Sequence, residues 1–208
     1  MRKRNYIGFG LIFALGTIFY LEGRETGDIE ATKNVVLESE IVKTSGIRGE
    51  LQVYSFEEAV NKADLIAEIE IVKYLEDIKE PSPKTLFDAK IINTFSGNTS
   101  LRNIEILQQG NKEYSFNENP LFKKGEKYIL FLKKAVGDRF DGTDTYWLLG
   151  EETNIYSVIN NKIIKKWALW DEELTSIEIE ENNSNKNSQL LDKNLFEEKM
   201  KKVINELK

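Results

Sequence analysis

Apolar and polar positions alternate in short bursts through the middle of the chain. "ADLIAEIEIVKYL" sets Ala67, Ile69 and Ile71 against Glu68 and Glu70, the period-two pattern of a half-buried strand. "TLFDAKIINTF" repeats the pattern with Phe87, Ala89 and Ile91 against Asp88 and Lys90, and "RNIEILQQG" repeats it with Ile104 and Ile106. Further strands are predicted over residues 128–132, 145–149, 154–159 and 162–167. Asn160-Asn161 between the last two reads as a two-residue hairpin turn, since Asn tolerates positive φ. Residues 35–37 and the alternating "ELQVYS" (residues 50–55) read as edge strands. Two helical patterns flank this set. Ser55 is an N-cap with Glu58 three residues on, a capping box, and Phe56, Ala59, Val60 and Ala63 share one face. Near the end, Leu191, Leu195, Phe196, Met200, Val203, Ile204 and Leu207 form one stripe. Six or seven short strands between two helices predict a mainly β fold, a small antiparallel barrel or sandwich.

The same pattern divides the chain. Residues 1–21 carry a basic head (Arg2, Lys3, Arg4) and an uncharged run over residues 6–21. That run would extend roughly 24 Å as a helix, short of the roughly 30 Å hydrocarbon core, and it is long for a signal-peptide apolar region. It reads as a signal anchor or a signal peptide, with the cations keeping the N-terminus cytoplasmic and everything after it exported. Residues 22–49 read as a stalk, residues 50–170 as the barrel domain, residues 171–189 as an acidic, Asn/Ser-rich mobile linker, and residues 190–208 as an amphipathic helix.

Composition then narrows the chemistry. The 208 residues are 40% hydrophobic and 31% charged, with net charge −6, and without the three N-terminal cations the remainder carries about −9. An acidic domain repels phosphate backbones, so nucleic acid is not an expected partner. Cys and His are both absent. This removes disulfides, thiolate zinc sites, thiol nucleophiles and every His-dependent triad. What remains is carboxylate, Lys or Tyr chemistry, or none, and the expectation is that there are no catalytic, metal or cofactor residues.

"AVNKADLIAEIEIVKYL", "INTFSGN", "NPLFKKGEKYILFL" and "YWLLGEETNIYSVINNKIIK" together resemble exported, functionally uncharacterised domains of Firmicutes. More distantly they resemble the netrin-like, OB-type barrel of the tissue inhibitors of metalloproteinases. The resemblance spans residues 54–166, and its most specific piece is Gly125-Glu126-Lys127-Tyr128. It implies an OB-like barrel. Those inhibitors chelate zinc through an N-terminal Cys, which this chain lacks, so that mechanism does not carry over. Asn154 also stands where the pattern has Gly.

Several candidate sites are visible. Lys123, Lys124 and Lys127, with Lys133 and Lys134, make a basic cluster suited to an anionic partner, or else a solvated turn of gatekeepers. Gly125 is expected at positive φ, with Leu121 and Phe122 capping the core. Asp138, Asp141 and Asp144 miss the spacing of a calcium loop. Tyr146, Trp147, Trp167 and Trp170 could form a recognition platform. Alternation points Tyr146 and Trp147 to opposite faces, and Trp170 is the best surface candidate. The acids at 171–173 and 178–181 read as a solvated run. The expectation is a membrane-anchored, non-enzymatic, exported interaction module for a protein or cell-envelope partner, with a protease inhibitor or modulator as the alternative.

Overall fold

The computed structural model describes residues 45–117, 119–179 and 187–206. The proposed membrane segment at residues 6–21, the stalk up to residue 44 and the edge strand at 35–37 lie outside the described residues. Among those described, no helix is long and apolar enough to cross a membrane. The elements in order are β1 (Ser45–Ile47), α1 (Phe56–Lys62), β2 (Leu65–Ile78), β3 (Lys84–Ser96), β4 (Asn103–Gln109), β5 (Tyr114–Phe116), β6 (Lys127–Lys134), β7 (Thr145–Leu148), β8 (Ile155–Val158), β9 (Ile163–Lys166), β10 (Gln189–Asp192) and α2 (Lys193–Glu206). Two 3-10 turns, Glu151–Asn154 and Glu172–Ile177, complete the set.

Five strands close a barrel in the order β2-β3-β4-β7-β6 and back to β2. Every contact is antiparallel except β4 with β7. One edge of β6 serves two neighbours in turn: residues 128–130 pair with β8 and residues 132–134 with β7. β8, β9 and β10 therefore leave the barrel as a sheet extension. The predicted alternation holds inside the barrel. Leu65, Ala67, Ile69 and Ile71 of β2 meet Phe87 and Ala89, Ile104 and Ile106, and Tyr128, Leu130 and Leu132. Phe122 closes the barrel from the loop before β6, stacked between Phe87, Tyr128 and Trp167.

The other faces of β2, β6, β8 and β9 are apolar too, because a second layer covers them. Ile66, Ile129, Phe131, Tyr156 and Ile164 pack under Phe56 of α1 and Phe196, Met200 and Val203 of α2. This double burial is why 128–132 reads as a continuous apolar run rather than an alternating one. The capping box of α1 is present, with the Ser55 hydroxyl accepting from the Glu58 N–H and the Glu58 carboxylate from the Ser55 N–H.

The structure corrects four expectations. Residues 50–55 form no strand and pair with nothing. The 159–162 turn is held by Asn160 Oδ1 accepting from the N–H groups of Lys162 and Ile163, and neither Asn160 nor Asn161 has positive φ. The side chain does the work that a left-handed backbone would have done. The first part of the acidic linker is folded: Leu174 and Ile177 are buried, Asp171 Oδ2 accepts from Phe56 N–H, and Glu173 Oε2 accepts from Glu57 N–H. Carboxylates at a helix N-terminus satisfy its free donors. Residues 189–192 form a strand before α2, which leaves Leu195 exposed at 44% rather than in the buried stripe.

Candidate functional site

A cleft of about 490 Å³ opens beside the barrel between the chain stretch 49–54 and the turn after β7. Its apolar walls include Leu51, Phe116, Trp147 and Leu149, and its polar groups include Ser82, Gln109 and Glu151. The strand pattern explains why Trp147 is there. Tyr146 points into the barrel core, so Trp147 points out, packing on Leu86, Leu107 and Ala135.

Gly150 and Glu151 shape one wall. Gly150 has φ 72° and Glu151 φ 46°. A Cβ on Gly150 would lie 2.5 Å from Asn154 Nδ2 and 2.8 Å from Thr153 Oγ1, so only glycine fits. Glu151 has no such freedom, and a left-handed non-glycine residue costs on the order of 1–3 kcal/mol. Burial pushes its carboxyl up to about 8, helped by the neighbouring Glu152 charge and opposed by the Gln109 backbone and Lys84. At neutral pH this acid mostly keeps its proton. Glu152 has one oxygen bonded to Asn117 Nδ2 at 2.9 Å, while its other oxygen is buried without a partner.

Lys84 lies beneath the cleft, 4% exposed. Its Nζ donates to Ser82 Oγ at 2.6 Å and to the Ser82 carbonyl at 3.0 Å, and it sits 5.3 Å from the centre of the Trp147 ring. Burial lowers its pKa, with Glu151 opposing. Among the described residues no ion pair joins Lys84 to Glu151. An acid on the cleft wall and an amine beneath it thus feel each other's charge without a direct ion pair.

The turn carrying Glu151 rests on a second buried amine. Lys166, 2% exposed, donates to the carbonyls of Thr153 and Ala168. Burial lowers its pKa to about 8, with Asp171 opposing. The Asn154 amide and the Tyr156 hydroxyl nearby are buried without partners. Asn154, singled out in the sequence as a departure, therefore lies in the support of this wall.

The residues picked from sequence do not converge on the cleft. Lys123, Lys124 and Lys127 are exposed at the start of β6. Gly125 turns the chain there with φ 84°, and Lys127 reaches Glu70 at 4.0 Å. Lys133 and Lys134 stand at the far end, about 24 Å away by strand rise, paired with Asp64 at 2.6 Å and Asp144 at 2.9 Å. The five lysines are two groups. Lys123 lines a smaller recess of about 340 Å³ with Trp167, Tyr128 and Glu126. The Tyr128 hydroxyl donates to Glu126 at 2.5 Å, and burial raises the Tyr128 pKa. Trp170 is 39% exposed and lines neither recess. Asp144 is committed to Lys134, and among the described residues no three metal-ligating side chains converge. Sequence reading missed Ser82, Lys84 and Glu151. The one signal for Lys84 was a lysine opening an apolar strand straight after "PSP"; Glu151 carried none, because Glu50, Ser82 and Gln109 join it at the cleft only through the fold.

In comparison with known proteins, no family model matches the chain and no curated protein matches it.

Proposed function

We propose that the protein is an exported, membrane-tethered, non-enzymatic interaction module built on an OB-like barrel, and that it holds a protein partner in the cleft beside Trp147. The closed five-strand barrel with one parallel contact supports the OB-like reading. The observation that carries the function is Glu151, strained, partly buried and with its carboxyl pushed up, on the wall of an open cleft. Strain and perturbed ionisation concentrate at functional sites. The export reading rests on the basic head and apolar run of residues 1–21. Cross-linking in intact cells tests both parts. Trp147→Ala should cut recovery of the cross-linked partner at least tenfold, beyond any fall in the amount of folded chain, and the chain should stay in the carbonate-washed membrane fraction. Equal recovery from the variant overturns the cleft assignment.

A second reading has one observation in its favour. The Ser82 hydroxyl lies 2.6 Å from a lysine amine lowered by burial, the pairing of a Ser-Lys nucleophile. It ranks second because Lys84 gives another donor to the carbonyl of Ser82 itself and lies under Trp147 rather than open to the cleft. Labelling of Ser82 by a fluorophosphonate, lost in Lys84→Met, would establish it; no labelling would exclude it.

A further inference from the structure

We propose that residues 50–53 are a vacant strand edge, and that the cleft takes an extended, basic segment of the partner protein paired to it main chain to main chain. This rests on the cleft being the partner site. The stretch has the alternating sequence of a strand, and it runs from Arg48 to Ser55 without turn or bend. Yet Glu50, Leu51, Gln52 and Val53 make no hydrogen bond among the described residues, backbone or side chain. The residues on either side are fixed. β1 pairs with β5, Gly49 N–H donates to Asn117 Oδ1 at 3.2 Å, and Ser55 caps α1. A stretch without turn or bend, pinned at both ends, with its own donors and acceptors unused and a cleft alongside, is a ready template for strand addition.

The chemistry of the occupant follows from the walls. Leu51, Phe116, Trp147 and Leu149 offer apolar contact to alternate side chains of an added strand. The unpaired charge of the cleft is acidic. Glu50 is exposed and makes no ion pair among the described residues, and Glu151 lines the same cleft with its proton held. Of the lysines, Lys133 is held by Asp64 and Lys84 is covered by Trp147. A Lys or Arg of the incoming segment would lie against Glu50 and draw the proton from Glu151, and an aromatic wall beside carboxylates favours such a cation further.

The test is fluorescence anisotropy with the full chain and labelled eight-residue peptides, acetylated and amidated. An alternating Val/Lys peptide should bind at least tenfold tighter than its Val/Glu counterpart, and N-methylation of alternate peptide amides should cost at least tenfold. Leu51→Pro and Gln52→Pro remove N–H groups on opposite edges of the stretch, so one of them should weaken binding at least tenfold. Neither should lower the melting temperature by more than about a degree, since these N–H groups donate to nothing in the free protein. Equal binding of the methylated peptide would mean charge attraction alone and would overturn the proposal. So would no binding of the Val/Lys peptide, or a homodimer that either proline dissociates, which would give the edge to a second copy. If the peptides fail while Trp147→Ala still abolishes partner cross-linking in cells, the cleft remains the partner site and only the strand-edge assignment falls.

Discussion

Two ionisable residues, Glu151 on the cleft wall and Lys166 beneath the turn that carries it, give the fold a pH signature. Glu151 titrates near 8 when folded and at its ordinary 4.5 when unfolded. Its folded pKa is raised, so the stability it contributes is complete below about 4.5 and is lost as pH rises through 8. That loss is on the order of 3–5 kcal/mol. Glu151→Gln cannot ionise, so its stability advantage over the parent should grow between pH 4.5 and 8 in urea melts; an advantage independent of pH would contradict the buried-acid account. Lys166 runs the other way. Its folded pKa of about 8 lies below the ordinary 10.5, so the unfolded chain binds more protons between those values. Stability should therefore rise by about 3 kcal/mol from pH 8 toward 10.5. Lys166→Met should abolish that rise, and a rise that persists would place its origin elsewhere. Neither residue stood out in the sequence. A lysine beside β-branched residues in a strand is ordinary, and what takes this one out of water is the Tyr156 ring and the carbonyls of Thr153 and Ala168, which the fold brings to it.

At the scale of elements, the strands were legible where one residue type faces one environment. β2 and β3 show this, with Ile69 and Ala89 inside and Glu70 and Lys90 outside. The short strands β1, β5 and β10 were not: β1 and β5 have three residues each, and Gln189–Asp192 runs straight into the helical pattern of α2. The stretch 50–55 shows the converse: its pattern is a strand's, but pattern cannot supply a pairing partner. The acidic stretch misled because composition describes an isolated segment. Asp171 is not solvated but bonded to the first N–H of α1, and its amide pairs with the Gln189 side chain. Asp171→Ala should cost about 1–2 kcal/mol in chemical denaturation; a cost near zero would return the segment to a linker role. α2 buries Phe196 and Met200 completely, each worth about 1.5–3 kcal/mol, and Lys193 ties its start to Glu68 at 2.8 Å. Deleting residues 194–208 should therefore lower the melting temperature by 10 °C or more for a domain of this size, roughly as expected from ~2–4 °C per kcal/mol. An unchanged melting temperature would make α2 a partner-binding helix instead.

At the scale of the molecule, a barrel with a covered back and an open flank divides its tasks. α1, α2 and the Glu172–Ile177 turn cover the faces of β2, β6, β8 and β9, so that side supports the fold. The flank beside Trp147 stays open, lined by an unpaired stretch of chain and by a strained, proton-bearing acid. The barrel was readable from the alternation of its strands. The cleft was not, since Ser82, Gln109, Trp147 and Glu151 meet only through strand order. The absence of His and Cys directed attention to surface lysines that the fold spreads over two ends of β6. The measurement that tests the central claim most directly is photo-cross-linking in intact cells, with a photoreactive residue placed in turn at positions 52, 124 and 170. The account predicts a discrete protein adduct from position 52 that Trp147→Ala removes, and little or none from the other two. Adducts from position 124 or 170 with none from position 52 would contradict it.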